Sequence, residues 1–147
     1  MCIKWFEERK VPAPTISSYI DAVELKEVLK DAFGSIPILL PDHYYELATK
    51  ASFCQFLQYD KTDQYRYTGD SPDGGFDCDD YACVLHGNAS IPKWANVPIG
   101  TVWLSDPAHA VNVFVDENKE VWYIEPQDDS FVKVKEKTDW IPYIVWF

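Results

Sequence analysis

The stretch GFDCDDYAC, Gly75 to Cys83, sets a cysteine among carboxylates at what reads as the start of a helix. Gly74-Gly75 supplies the sharp entry, and the helix begins at Asp77 or Cys78. A helix N-terminus carries partial positive charge and unpaired N–H groups. That setting lowers a thiol pKa and offers donors to an oxyanion. Asp77, Asp79 and Asp80 suit a cap and first turn but oppose a thiolate. Full activation of Cys78 therefore calls for a nearby imidazolium. The plainer reading of Cys78 is a small buried hydrophobe, as most free cysteines are. Cys83 lies away from the helix start and reads as core.

Of the three histidines, His43 and His86 read as surface or capping residues at helix ends. His109 differs: it follows the break SDPA and opens the strand HAVNVFVD. The next strand, EVWYIEP, ends in Glu125 and Pro126. With Glu117-Asn118-Lys119 as a three-residue hairpin loop, Asp116 pairs with Glu120 and Glu125 falls opposite Val111. Glu125 then shares a face with His109, one diagonal step away, at about 7–8 Å between Cα atoms. A two-residue turn would put the two on opposite faces. The plainer reading of this pair is two polar residues at a sheet rim. Read together, Cys78, His109 and Glu125 would form a nucleophile, a base and an orienter.

FDCDDYA and HAVNVFVDENKEVWYIEP, in that order, resemble the transglutaminase-like superfamily of papain-like cysteine enzymes. The bacterial transglutaminase-like cysteine peptidases carry a similar run around their cysteine. The resemblance covers Gly74 to Gln127. It implies Cys78 as nucleophile, His109 as base, and Glu125 in the family's aspartate position. The implied chemistry is cysteine-dependent cleavage or transfer of an amide through a thioester, with no cofactor and no metal. The implied partner is a protein or peptide substrate, with amine-bearing ones favoured by the acidic surroundings. The family's oxyanion donor has no clear counterpart; Gln64 and Tyr65 are candidates by location alone.

The positioning elements follow from periodicity. A helix is expected over Ser17–Phe33, with Gly34 as its C-cap. A second is expected from Asp42 to about Tyr59, with Tyr45, Leu47, Ala48, Ala51, Cys54, Phe56 and Leu57 on its apolar side. The third ends near Gly87. After Gly100 the period becomes that of strands: GTVWLSD, HAVNVFVD, EVWYIEP, FVKVKE and WIPYIVWF. Helices followed by a strand meander indicate an α+β fold with an antiparallel sheet. The expected organisation is one domain over 1–147, helical over 1–60 and with a catalytic-type core over 75–147.

The 147 residues are 47% hydrophobic and 16% aromatic, enough to bury a core. The formal net charge of −11 argues against nucleic-acid and anionic-membrane partners. No signal peptide and no membrane span are visible, so a cytoplasmic protein is expected. Cys2, Cys54, Cys78 and Cys83 show no paired zinc spacing and read as free thiols. In GDSPDGGFDCDD, Pro72 occupies a ligand position of the EF-hand pattern and no glutamate closes the loop. The alternative to an enzyme is a non-catalytic peptide- or carbohydrate-binding domain, for which Tyr59, Tyr65 and Tyr67 ahead of Cys78 supply aromatic contacts. The C-terminal WIPYIVWF reads as core and edge strand.

Overall fold

The computed structural model describes residues 11–72 and 74–147. Cys2, read above as a free thiol, lies outside them. The described residues form eight strands and three α-helices.

Strand β1 (Ile16–Asp21) corrects the expected helix start at Ser17. Asp21 is the true N-cap of helix α1 (Ala22–Phe33), its carboxylate accepting from the Glu24 N–H at 2.8 Å. Leu25, Leu29 and Phe33, four residues apart, are the buried face. Val23 is 74% exposed. Gly34 ends the helix as expected, at φ 75°, with its N–H donating to the Lys30 carbonyl.

The helix expected from Asp42 is also corrected. After strand β2 (Ile38–Leu39), Tyr44–Ala48 form strand β3, with Tyr45 and Leu47 buried at a spacing of two. β3 pairs antiparallel with β1. Helix α2 (Lys50–Tyr59) begins only after Thr49, whose Oγ1 accepts from the Ser52 N–H at 3.2 Å. Among the described residues, 11–60 therefore combine strand and helix. β1 and β3 satisfy each other's backbones across more than twenty residues, a long-range gain that no local propensity registers.

Helix α3 (Cys78–Ala89) starts at the second of the two expected residues and runs a little past Gly87. Asp80 accepts from the Asp77 N–H at 3.1 Å, closing its first turn. A Cβ on Gly75 would lie 1.9 Å from the Gly69 carbonyl oxygen, so only glycine fits where the loop closes through the Gly69–Phe76 bridge.

The remaining strands are β4 (Ile99–Asp106), β5 (His109–Val115), β6 (Val121–Glu125), β7 (Ser130–Lys133) and β8 (Ile141–Trp146). With β2 they form a six-stranded sheet in the order β2-β8-β4-β5-β6-β7. The expected antiparallel meander gains a parallel edge, because β2 pairs parallel with β8. Central strand β5 is buried on both faces. Val111, Val113 and Val115 pack with Leu25, Leu29 and Phe33 of α1, while Phe114 packs with Phe53 of α2 and Leu85 of α3. The sheet thus separates α1 from α2 and α3. Asn112, fully buried, bonds the Ala82 carbonyl of α3 at 2.9 Å and the Gly100 carbonyl at 3.1 Å. No helix among the described residues is long and apolar enough to cross a membrane.

Candidate functional site

The β5–β6 hairpin has the register that a three-residue loop requires. Asn112 pairs with Ile124 and Val115 with Val121, and the Asp116 N–H donates to the Glu120 carbonyl. Asp116 Oδ1 organises the loop by accepting from the Asn118 and Glu120 N–H groups, and Lys119 takes φ 60°. His109 Nε2 donates to Glu125 Oε2 at 2.7 Å, with the side chains 20% and 23% exposed. A carboxylate can only accept, so this bond puts the neutral ring's proton on Nε2. Gln127 Nε2 donates to Glu125 Oε1 at 3.3 Å. The Trp140 ring stands edge-on to the His109 ring, centroids 6.2 Å apart, and also packs on Tyr123. The contribution of Trp140 arises from tertiary contact, and no motif marks it; Gln127 reaches Glu125 locally, two residues along the chain.

Cys78 occupies the first position of α3, where the helix field acts on it. Burial nevertheless pushes its thiol up, and Asp77 and Asp79 push the same way. The N–H groups of Ala110 and of Cys78 itself pull down without prevailing. The helix N-terminus therefore acts as expected and is outweighed. Among the described residues no hydrogen bond joins Cys78 to His109. Alternation along β5 puts His109 with Val111 on the α1 side of the sheet, whereas α3 packs on the other side. The contact that does form is between Cys78 and the Ala110 backbone.

Gln64 ends a short 3-10 turn (Thr62–Gln64) and is exposed, and Tyr65 follows it. The Tyr81 hydroxyl donates to the Tyr65 carbonyl. Four rings interlock there: Tyr65 on Phe76 at 5.1 Å, Phe76 on Tyr81 at 4.7 Å, and Tyr67 stacked on Tyr81 at 6.5 Å. Tyr65 and Tyr67 are each 53% exposed. This ring shelf rests on the first turns of α3, the end that carries Cys78. Asp77, Cys78 and Asp79 bring ligand atoms within 4.8 Å of one another. The Asp77 side chain beside it first, and burial second, push the Asp79 carboxyl up.

No protein-family profile matches the chain, and no curated protein matches it. The architecture is instead shared with solved lectin structures. The structure described as the "PSL1a-E64 complex" aligns with a TM-score of 0.70 at 22% identity, over 88% of this chain and 51% of that one. The Polyporus squamosus lectin bound to Neu5Aca2-6Galb1-4GlcNAc aligns with a TM-score of 0.69 at 22% identity, over 88% of this chain and 49% of that one. The chain thus spans about half the length of each.

These likenesses correct the transglutaminase-like, papain-like family reading, and with it the fold of helices packed on an antiparallel sheet. The protein is sheet-rich, with eight strands to three helices among the described residues, and its neighbours are lectin structures. The expectation of cysteine-dependent amide chemistry is corrected with them. The structure adds a physical reason: burial pushes the Cys78 thiol up, and among the described residues it makes no hydrogen bond to the imidazole. We expect Cys78 to react with iodoacetamide at pH 7 more slowly than free glutathione, accelerating only above pH 9. His109→Ala should leave that rate unchanged. Site-resolved mass spectrometry reads it, and fast labelling below pH 8 that disappears in His109→Ala would reverse this conclusion.

Proposed function

We propose that this chain is a carbohydrate-binding domain whose ligand lies on the Tyr65–Tyr67 shelf at the N-terminal end of α3. The observation that carries the reading is that shelf: two half-exposed tyrosines backed by Phe76 and Tyr81 beside a row of hydrogen-bond acceptors. Aromatic faces accept the C–H face of a sugar ring, and a few convergent polar groups set its orientation. Asp79 and Asp80 of α3 supply acceptors for sugar hydroxyls. Cys78, at the same end of α3, adds a polar contact in this reading. Support comes also from the lectin structures that share the fold, one of which is bound to a sialylated trisaccharide.

The carboxylates along this edge repel an anionic sugar, so uncharged glycans are the preferred ligands. A glycan array followed by calorimetry tests the proposal. Tyr67→Ala should weaken binding roughly 3- to 10-fold, the usual worth of one aromatic contact. Sialylated glycans should bind more weakly than their uncharged counterparts. Absence of glycan binding, or binding indifferent to both Tyr65→Ala and Tyr67→Ala, would refute it.

A further inference from the structure

Away from that shelf, two cavities meet at the edge of the large sheet. One, of about 550 Å³, lies between α1 and β2 and is lined by Val23, Leu39 and Leu40, with Lys26 and Glu27 on its rim. The other, of about 330 Å³, lies at the C-terminal end of α3 and is walled by Trp94 and Phe147, with Asp42 and His86 in its lining. They share Pro41 and Trp146. Val23, Leu39 and Trp146 are 74%, 52% and 46% exposed, a run of apolar surface along a sheet edge. Such surface on a soluble domain marks an interaction site.

We propose that this furrow docks an extended segment of a partner protein, with an aliphatic side chain in the larger cavity and a lysine or arginine over Trp146 in the smaller one. Charge decides the order. At the larger cavity Glu27 is paired with Lys30 at 2.8 Å, which leaves the Lys26 charge to disfavour a second cation there. At the smaller one Asp42 is exposed and has no ion-pair partner among the described residues. The only other titratable groups in its lining are Tyr45 and His86. His86 is bound through Nδ1 to Thr101 Oγ1, and its burial lowers its pKa, so it stays neutral. The smaller cavity is therefore an aromatic wall with one unpaired carboxylate, the surroundings that favour a cation over a ring face. An extended peptide puts alternate side chains on one face about 7 Å apart. Two adjacent cavities separated by one indole suit that repeat, and among the described residues no strand pairs with the outer edge of β2 beside them.

The site is separate from the tyrosine shelf, so the two proposals fail independently. The probe is the peptide acetyl-Leu-Thr-Lys-Thr-amide, titrated into the labelled protein and followed by NMR. The expected result is saturable shifts at the Trp146 indole and at His86. Affinity should fall about 5-fold or more in Trp146→Ala, as a lost cation–π contact and its apolar area imply. It should fall roughly 2- to 5-fold in Asp42→Asn, which touches only an exposed charge and leaves the fold intact. Tyr67→Ala should change nothing. The proposal is overturned if acetyl-Leu-Thr-Glu-Thr-amide binds equally well. It is also overturned if the shifts centre on Tyr67, if only glycans perturb Trp146, or if nothing binds at millimolar peptide.

Discussion

Phe53→Ala is expected to destabilise the protein by about 3–5 kcal/mol, the cost of removing a fully buried aromatic ring and leaving a cavity. Phe53 has no exposed surface and sits at the centre of a ring cluster. Its centroid lies 4.4 Å from Phe114, 5.8 Å from Phe56 and Phe131, and 6.1 Å from Trp94. These rings come from α2, β5, β7 and the segment after α3, so collapse around the void would require several elements to move together. For a domain of this size the loss corresponds to a drop in melting temperature of roughly 10–15 °C. Ala51, by contrast, is exposed, and Ala51→Ser should cost under about 0.5 kcal/mol. The sequence reading puts Ala51 on the apolar side of this helix and leaves Phe53 off it. Thermal melts of the two variants therefore discriminate between a helix that begins at Asp42 and one that begins at Lys50. Equal costs would contradict the observed packing.

The second large effect is electrostatic. Asp129 lies in the β6–β7 turn at φ 59°, with its N–H donating to the Glu125 carbonyl at 2.9 Å and its Oδ1 buried without a hydrogen-bond partner. Burial first, and then Asp63, Asp60 and Asp128, push its carboxyl up to about 7, against a small opposing pull from Lys61. The folded state therefore keeps a proton that the unfolded chain has lost above about pH 4. Stability is full below that pH, falls as pH rises towards 7, and levels off above it. A rise from 3.8 to about 7 sets a ceiling of about 4 kcal/mol. Solvent around a half-buried group reduces this to roughly 2 kcal/mol. Asparagine tolerates the left-handed backbone and carries no charge. Asp129→Asn should thus match the wild type near pH 4 and melt roughly 4–8 °C higher at pH 8. Parallel curves for the two proteins across this range would remove the carboxylate cluster as the cause.

The candidate site was legible where its geometry is local. The loop Glu117-Asn118-Lys119 can be counted, its parity places Glu125 on the face of His109, and the two meet at 2.7 Å. The start of α3 at Cys78 is marked by Asp77, by Asp80 three residues on and by the double glycine before it. The chemistry of Cys78 was not legible. Its thiol answers first to burial, with Asp77 and Asp79 pushing the same way, and these outweigh both the helix N-terminus and the Ala110 N–H, thirty-two residues along the chain. The family resemblance failed for a related reason. Short motifs around a helix start and a hairpin describe local geometry, and that geometry also occurs in the fold shared with the lectin structures.

By itself, the sequence determined the features set by residues close together in the chain: the five strands after Gly100, the start of α3 at Asp77 or Cys78, the Gly34 stop of α1 and, given a three-residue loop, the β5–β6 register. Only the tertiary structure decided that Ile16–Asp21 and Tyr44–Ala48 are strands, because each owes its hydrogen bonds to the other. It alone brought Asp129 against Asp60 and Asp63, and joined β2 to β8 so that Trp146 lies beside Pro41 and His86. Chain-local rules act over a turn or two, whereas burial and long-range pairing decide the protonation state of a thiol or carboxyl and the shape of a surface.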